Sequence, residues 1–247
     1  MNKAPSTTMV LNSTIVEYDI KQANVSLLEY YELLSPNQIE RIRNMPPDQR
    51  KVAVGLLEQR NKELAEKLER GFDEIMMKFI TSNNLDIDID VLTIKKDACF
   101  VISKTPKITS FGPILFRPKG IYHSFLMIGN FEFYISDDGV DVKGLQKQAS
   151  LHKDGILHLI KDIVDTAISA NGDKSVINKY LSELVNAYKR KELEFDYYRE
   201  FNSTSQFHLT FDGESYLYDN ISDIDLPDLD ISYNYINIIL PLVRLFI

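Results

Sequence analysis

Cysteine is nearly absent from this chain of 247 residues, in which Cys99 is the single example. One cysteine cannot form an internal disulfide bond, and this agrees with a cytoplasmic protein. Cys99 itself lies within an apolar stretch, which is typical of a small core residue.

Long apolar runs are also missing. No run reaches the roughly 18 apolar residues of a membrane span, and the N-terminal residues 1–8 contain no apolar core of signal-peptide length. We therefore predict no membrane association. The histidines and the cysteine show no zinc-site spacing, and no Walker, Rossmann or Gly-x-Ser-x-Gly motif occurs. The sequence therefore does not indicate any of the enzyme classes that these motifs define.

Positive charge is in the minority, and the formal net charge is −8. Phosphate would be repelled by such a chain as a whole, whereas nucleic-acid binders usually carry a basic face. The charges are unevenly distributed, however. Acidic residues crowd one C-terminal segment, at Asp212, Glu214, Asp219, Asp223, Asp225, Asp228 and Asp230. Basic residues cluster earlier, at Lys104, Lys107, Arg117, Lys119, His123, Lys143, Lys147, His152 and Lys153. This bipolar pattern is compatible with a basic groove and equally with an ordinary acidic protein.

The helical signals lie mainly before residue 84. Ser35-Pro36 predicts a helix start, and Pro46-Pro47 breaks the chain before a second helix. Apolar residues then recur at helical spacing, which predicts one long helix from about residue 49 to 83. A third helical stretch is predicted from Gly155 to about Phe201.

Strand signals alternate with these helices. Residues 14–20 and 91–102 predict a buried strand and a tight two-strand hairpin, and Asp86–Asp90 predicts a strand entry. Residues 122–135 predict another hairpin, which turns at Gly129-Asn130. Together these elements predict an α+β protein with an antiparallel sheet and helices on one face.

Two aspartates stand at the ends of predicted strands. Asp19 ends the first strand and is followed by a helix, and Asp97 lies in the tight hairpin. Two such carboxylates side by side can hold a divalent cation, and two metal ions there would serve a phosphoryl transfer. The alternative is that each aspartate caps a turn or a helix, the commonest role of such residues.

The surrounding residues resemble family B DNA polymerases over about residues 14–201. Residues 19–28 (D-I-K-Q-A-N-V-S-L-L) resemble that family's first palm motif, and residues 91–100 (V-L-T-I-K-K-D-A-C-F) resemble its third. Further on, residues 119–122 (K-G-I-Y) are similar to its basic K-K-R-Y segment. The runs D-V-K-G-L and L-H-K-D at residues 141–145 and 151–154 resemble the passage from palm to thumb.

The resemblance implies a set of functional residues. Asp19 and Asp97 would be catalytic and would bind Mg²⁺ or Mn²⁺. Lys51, Arg60 and Asn24 would bind the nucleoside triphosphate. A primer-template nucleic acid would be held by four further residues: Lys119, Tyr122, Lys143 and Lys153.

Departures from the family pattern keep a second function open. The middle motif should supply a lysine for the triphosphate, but Gly55 stands at that position. Four basic residues are close enough on the predicted helix to substitute, although they also suit a solvated helix face: Arg50, Lys51, Arg60 and Lys62. In the third motif, Lys95 and Lys96 replace an aspartate and a threonine. The alternative to a polymerase is therefore a degenerate polymerase-like subunit that binds nucleic acid or organises an assembly.

The implied architecture is a palm with reduced helical fingers and a small thumb. Residues 1–150 would form the palm, with the fingers inserted at about 29–70, and residues 151–247 would form the thumb with the acidic segment. Such a chain would be a minimal or split viral or phage-type member, in the host cytoplasm. Its partners would include another polymerase subunit or a sliding clamp, for which the apolar C-terminal tail is one candidate contact. The other expectation for that tail is that it packs on its own thumb.

Overall fold

The computed structural model describes residues 2–145, 153–194, 197–198, 201, 208–211, 214–217 and 234–247. The chain divides into two compact units, of which the first comprises Met1–Ser6 and Thr14–Ile121 and the second Thr7–Ser13 and Tyr122–Ile247. This boundary differs from the division expected at residue 150, because strands that follow residue 121 share one core with the helices that follow residue 153. The assignment of palm and thumb roles to these parts of the chain stays a prediction.

The helices and strands of both units follow one another along the chain. In order they are β1 (Met9–Val10), β2 (Ile15–Ile20), α1 (Ala23–Tyr30), α2 (Pro36–Arg43), α3 (Pro47–Arg60), α4 (Lys62–Ser82), β3 (Val91–Lys95), β4 (Ala98–Ile102), β5 (Ser110–Phe111), β6 (Ile114–Tyr122), β7 (Ser124–Ile128), β8 (Phe131–Ser136), β9 (Gly139–Lys143), α5 (Asp154–Ser169), α6 (Lys174–Lys189), β10 (His208–Phe211), β11 (Glu214–Leu217), a π-helix (Tyr235–Ile239) and α7 (Leu240–Phe246).

The first unit is built on a five-stranded sheet with the order β3-β4-β2-β6-β5. β2 pairs antiparallel with β4, and β4 pairs antiparallel with β3 across the predicted tight turn. Side chains alternate between the two faces of a strand, so Tyr18 and Ile20 enter the core while Glu17 and Asp19 lie on the opposite face. The pattern of β2 thus fixes the side of the sheet on which its carboxylates lie.

Helices α1 to α4 contribute to the core of this unit. On α4, buried apolar residues recur every three or four positions, from Leu64 and Leu68 to Phe79 and Ile80. Phe79 stacks on Phe116 of β6 with ring centroids 4.2 Å apart. Cys99 is fully buried in the same core, as the sequence indicated, and burial raises the pKa of its thiol to about 12.

The predicted long helix from residue 49 to 83 is interrupted. Asn61 has an extended conformation, which ends α3, and its side-chain oxygen accepts a hydrogen bond from the Leu64 N–H over 3.1 Å. Asparagine is a preferred N-cap residue, so this single side chain starts α4 as a separate helix. The helix start at Ser35-Pro36 is confirmed, with Gln38 completing a capping box.

The predicted strand entry at Asp86–Asp90 is a turn instead. The carboxylate of Asp86 accepts hydrogen bonds from the N–H groups of Asp88 and Ile89, and that of Asp90 accepts one from Asp86. Aspartate side chains that accept hydrogen bonds from nearby backbone N–H groups favour a turn and disfavour a strand. β3 therefore begins only at Val91.

The second unit contains a four-stranded antiparallel sheet with the order β1-β7-β8-β9. Its central hairpin turns at Gly129-Asn130, as predicted, but this hairpin belongs to a separate sheet from the one that carries the two aspartates. Buried residues of β7 and β8, including Leu126 and Phe133, pack in one core with α5 and α6. The α+β class is confirmed, and the described residues form two larger antiparallel sheets in place of one, together with the two-stranded pair of β10 and β11.

The apolar C-terminal tail packs inside the second unit. Four of its residues are buried in the same core as α5 and α6: Ile238, Ile239, Leu242 and Phe246. This agrees with the expectation that the tail packs on its own chain. Of the acidic segment, only Glu214 falls in a described element, β11, and the rest lies outside the described residues. None of the helices in the described ranges is long and apolar enough to cross a membrane.

Candidate functional site

The backbones of Asp19 and Asp97 lie side by side in the first unit. Asp19 pairs with Ala98, the residue that directly follows Asp97. In addition, the Ile20 N–H donates a hydrogen bond to the Asp97 carbonyl oxygen over 3.0 Å. The structure therefore brings both predicted aspartates to the same end of two neighbouring strands.

Charged side chains of β6 lie beside the carboxylates of β2. A guanidinium nitrogen of Arg117 lies 3.8 Å from Asp19 Oδ2, and Lys119 Nζ lies 3.4 Å from Glu17 Oε1. The Glu17 side chain is only 4 % exposed and the Asp19 side chain 15 %, whereas both cations are about half exposed. The face of β2 is thus acidic and partly covered, and the adjacent face of β6 is basic.

Burial is the largest influence on the pKa of Asp19, and it raises that pKa. The positive charge of Lys119 opposes this effect, the negative charge of Asp97 adds to it, and Arg117 and Glu17 follow with smaller opposed contributions. Asp97 is therefore close enough for its charge to act on Asp19. A cation placed between the two carboxylates would relieve that repulsion.

A cavity of about 240 Å³ opens next to Asp97. Its lining combines Asp97 with basic and amide side chains from α1, α3 and the β3–β4 turn: Gln22, Asn24, Arg50, Lys51 and Lys96. The apolar part of the lining includes Val25, Val54 and Phe72. Two of the three residues predicted to bind nucleotide, Asn24 and Lys51, therefore line one cavity with Asp97.

Arg50 and Lys96 hold distinct positions in this cavity. Arg50 donates to the Met45 carbonyl oxygen over 3.0 Å, while its Nε atom is buried and has no hydrogen-bond partner within the described part of the chain. Lys96 is exposed, and its Nζ lies 4.8 Å from the centre of the Phe72 ring. From the sequence, Arg50 was named as one substitute for the missing lysine, and Lys96 was named as a departure from the motif that would flank the cleft.

Arg60 is not brought to this cavity. It is the last residue of α3, nine positions beyond Lys51, which corresponds to roughly 13 Å along a helix axis. Its side chain is exposed, and it is not part of the cavity lining. The predicted grouping of Lys51 with Arg60 is therefore not found.

The four residues predicted to hold nucleic acid are divided between the two units. Lys119 belongs to the first unit and pairs with Glu17. In the second unit, Tyr122 is only 5 % exposed and donates a hydrogen bond to Asp141 Oδ2 over 2.6 Å, which leaves little of its surface for a ligand. Lys143 on β9 and Lys153 before α5 are half-buried. Their binding role stays a prediction.

The basic stretch after Asp97 is largely paired. Lys104 Nζ lies 2.6 Å from Asp90 Oδ2, and Arg117 and Lys119 lie beside Asp19 and Glu17. Sequence reasoning counted these cations as a cluster and did not find their acidic partners. The sequence did contain a signal for these pairs. Glu17 and Asp19 are two positions apart, as are Arg117 and Lys119, and residues two apart lie on the same face of a strand.

The carboxylates of Asp19 and Asp97 form a small set of ligands for magnesium. Within the described residues, no group of three or more Asp, Glu, His or Cys side chains is arranged to hold a metal ion. Magnesium, however, commonly uses one or two protein carboxylates and completes its shell with water and substrate phosphates. Asp19 and Asp97 provide such a carboxylate pair, so the residues present are chemically compatible with Mg²⁺ or Mn²⁺.

The fold is that of a polymerase-like α+β protein. It is similar to the structure of the family B DNA polymerase from the hyperthermophilic archaeon Pyrobaculum calidifontis, with a TM-score of 0.53 and 13 % identity. The similarity covers 98 % of this chain and 45 % of that chain, so the present chain spans under half of that polymerase. The chain belongs to the family described as Bacteriophage PBS1 gene 130 protein, whose model matches residues 2–247. No curated protein matches it.

Proposed function

We propose that this phage protein is a template-dependent nucleotidyltransferase, a minimal or split DNA polymerase that works by two-metal phosphoryl transfer. The observation that carries the proposal is the backbone juxtaposition of Asp19 and Asp97, together with the cationic cavity that Asp97 lines. The polymerase-like fold agrees with this proposal, and the 13 % identity extends it no further than the fold.

Asp19 and Asp97 would hold the divalent cations. When bound, Mg²⁺ or Mn²⁺ would polarise the primer 3′-hydroxyl and neutralise charge on the triphosphate. The fixed backbone between the two aspartates suits this role, because metal ligands must be held in place before the reaction. Arg117 and Lys119 would balance the carboxylate charge whenever no cation is bound.

The cavity beside Asp97 would receive the incoming nucleoside triphosphate. Arg50, Lys51 and Lys96 supply three cationic side chains in its lining, where a polyphosphate needs positive charge more than one particular residue. Asn24, at the first turn of α1, would contact the sugar or the base.

The primer-template would contact the two units through separate residues. In the first unit, Lys119 is the predicted contact, and in the second unit Lys143 and Lys153 are. Each would act as a phosphate contact, which positions a nucleic acid without reading its sequence.

A scaffold function is the second candidate, and two observations favour it. The basic residues of β6 already pair with carboxylates of β2, so fewer free cations face a nucleic acid than the sequence indicated. Gly55 stands at the position where the resemblance to family B DNA polymerases would place the lysine that binds the triphosphate. No atom lies within 4 Å of a Cβ added there. A degenerate palm that organises other replication proteins would retain the fold without the chemistry.

Extension of a labelled primer-template by the purified protein tests both candidates. Reactions with Mg²⁺ or Mn²⁺, and with ribo- or deoxynucleoside triphosphates separately, are compared for the wild-type protein, Asp97→Asn and Asp138→Asn. Asp138 lies in an exposed turn of the second unit and serves as the matched control. Removing a metal ligand removes several kcal/mol of charge stabilisation, so we expect a loss of at least about 100-fold in Asp97→Asn.

The outcomes separate the two functions. Extension by the wild-type protein and by Asp138→Asn, but not by Asp97→Asn, supports the nucleotidyltransferase. Template binding in fluorescence anisotropy without extension in any condition favours the scaffold instead. Equal extension by Asp97→Asn and the wild-type protein would reject the assigned metal ligands.

A further inference from the structure

We infer that the N-terminal segment Asn2–Ser6 positions Asp97, and that Asn2 is the residue through which it does so. This inference rests on the proposed metal-binding role of Asp97. The segment and the β3–β4 turn belong to the same compact unit. No motif in the sequence pointed to this segment.

The segment runs along β3, which is an edge strand of the five-stranded sheet. Lys3 and Ile94 exchange two backbone hydrogen bonds of 3.1 Å, and the Ser6 N–H donates to the Leu92 carbonyl oxygen over 2.9 Å. The Thr93 hydroxyl also donates to the Lys3 carbonyl oxygen over 2.7 Å. The segment is therefore fixed to the strand that leads into the turn, and it covers an otherwise unpaired edge.

The Lys3 side chain adds a second anchor at the other end of β3. Its ammonium group donates to the carbonyl oxygen of Val91 over 2.7 Å and also to that of Ile87. Only 17 % of the side chain is exposed, so these bonds are largely shielded from water. The segment is held at both ends of the strand and cannot slide along it.

Asn2 contacts the turn itself. Its Oδ1 atom accepts a hydrogen bond from the Lys96 N–H over 2.8 Å. Lys96 has a φ of +31°, a left-handed conformation that non-glycine residues rarely adopt without support. The Asn2 side chain supplies that support, since it satisfies the N–H of the strained residue.

Asp97 follows Lys96 directly and is fixed from the opposite side by the Ile20 N–H, which donates to its carbonyl oxygen. The two turn residues are therefore held by one hydrogen bond from β2 and one to the N-terminal segment. Loss of the Asn2 bond would release Lys96 from its conformation, and the backbone that carries the Asp97 carboxylate would lose one of its two restraints. Direct hydrogen-bond partners of metal ligands change metal affinity by roughly 10- to 100-fold, and Asn2 acts on Asp97 through the adjacent residue Lys96.

Binding of Mn²⁺ to the full chain tests the inference, with the free ion measured by electron paramagnetic resonance. The variants are Asn2→Ala, Asn2→Asp, Asp97→Asn and Ser6→Ala. Asn2→Asp keeps an oxygen acceptor for the Lys96 N–H. Ser6→Ala is the matched control, because Ser6 is exposed and bonds to β3 through its backbone. Thermal unfolding is followed for each variant.

We expect Asn2→Ala to weaken the Asp97-dependent Mn²⁺ affinity by roughly tenfold or more, with an unchanged unfolding midpoint, and we expect Asn2→Asp to restore it. Affinity in Asn2→Ala equal to that of the wild-type protein would overturn the inference, and so would an equal loss in Ser6→Ala. A wild-type protein without any Asp97-dependent Mn²⁺ binding would instead reject the proposed function, and the inference with it.

Discussion

The N–H of Ile20 donates a hydrogen bond to the carbonyl oxygen of Asp97 over 3.0 Å. This bond joins the strand that carries Asp19 to the turn that carries Asp97, although the two aspartates are 78 positions apart along the chain. The carboxylates therefore influence one another, and the charge of Asp97 raises the pKa of Asp19.

Stability in the absence of metal should depend on the ionisation of Asp19. Its pKa is raised in the folded protein, mainly by burial, so the folded state holds the proton more tightly than the unfolded state. Stability is then greatest below the ordinary carboxyl pKa and decreases as pH rises through the raised one. Asp19→Asn should remove this decrease. Denaturant unfolding from about pH 3 to about pH 7 measures it, and identical profiles for the variant and the wild-type protein would contradict the prediction.

The two predicted phosphate contacts on α3 should differ in their effect on substrate binding. Lys51→Ala removes a cation from the cavity beside Asp97, so we expect the KM for the nucleoside triphosphate to rise by about tenfold. Arg60→Ala removes an exposed cation of the same helix outside that cavity, and its KM should stay close to that of the wild-type protein. Steady-state extension kinetics give both values. A larger rise in KM for Arg60→Ala than for Lys51→Ala would show that the triphosphate binds near Arg60 and outside the cavity.

Lys104 should stabilise the fold through Asp90. The Asp90 side chain is 8 % exposed, and Lys104 Nζ lies 2.6 Å from its Oδ2 atom. Lys104→Met leaves that buried carboxylate without its cation, which should lower the free energy of unfolding by about 1 to 2 kcal/mol. Lys67→Met serves as control, because Lys67 pairs with an exposed glutamate and should contribute under about 0.5 kcal/mol.

This ion pair also has a pH signature. The hydrogen bond from Lys104 lowers the pKa of Asp90, so its stabilising effect is present above the ordinary carboxyl pKa and disappears as pH falls through the lowered one. The stability difference between the wild-type protein and Lys104→Met should therefore shrink in acid. A difference that does not change with pH would show that the pair acts only through packing.

Gly144 should not accept a side chain. Its φ is +89°, and an added Cβ would lie 2.4 Å from the backbone oxygen of Asn130. Gly144→Ala should lower the free energy of unfolding by more than about 2 kcal/mol, since a backbone clash adds to the cost of the left-handed conformation. Gly172 is the matched control, with a φ of +82° and no atom within 4 Å of the added Cβ. Urea unfolding compares the two, and equal losses would contradict the clash.

Phe79 should be one of the strongest contributors to the first unit. It is fully buried and stacks on Phe116, so Phe79→Ala should cost about 3 to 5 kcal/mol. Met77 lies on the same helix and is 37 % exposed, and Met77→Ala should cost much less. Circular dichroism during denaturant unfolding separates the two variants. Similar midpoints would mean that α4 does not pack on the sheet in this way.

Much of the local structure followed from the sequence. The hairpins at Lys96-Asp97 and Gly129-Asn130, the helix start at Ser35-Pro36 and the burial of Cys99 depend on turn chemistry, capping and hydrophobic pattern. These interactions act over a few residues, so a short window of sequence contains their causes. The order of motifs also indicated a polymerase-like fold, and the structure is indeed similar to that of a family B DNA polymerase.

Tertiary structure alone decided which charges meet. Glu17 with Lys119 and Asp19 with Arg117 are pairs across β2 and β6, and the Asn2 contact with Lys96 joins residues 94 positions apart. The separation of Arg60 from the cavity and the assignment of β7 to a second sheet were decided in the same way. The physical reason is that strand order and the neighbours of each side chain are set by packing between distant segments, which no local pattern encodes. The sequence by itself indicated most of the elements and the two aspartates, and the fold determined their neighbours.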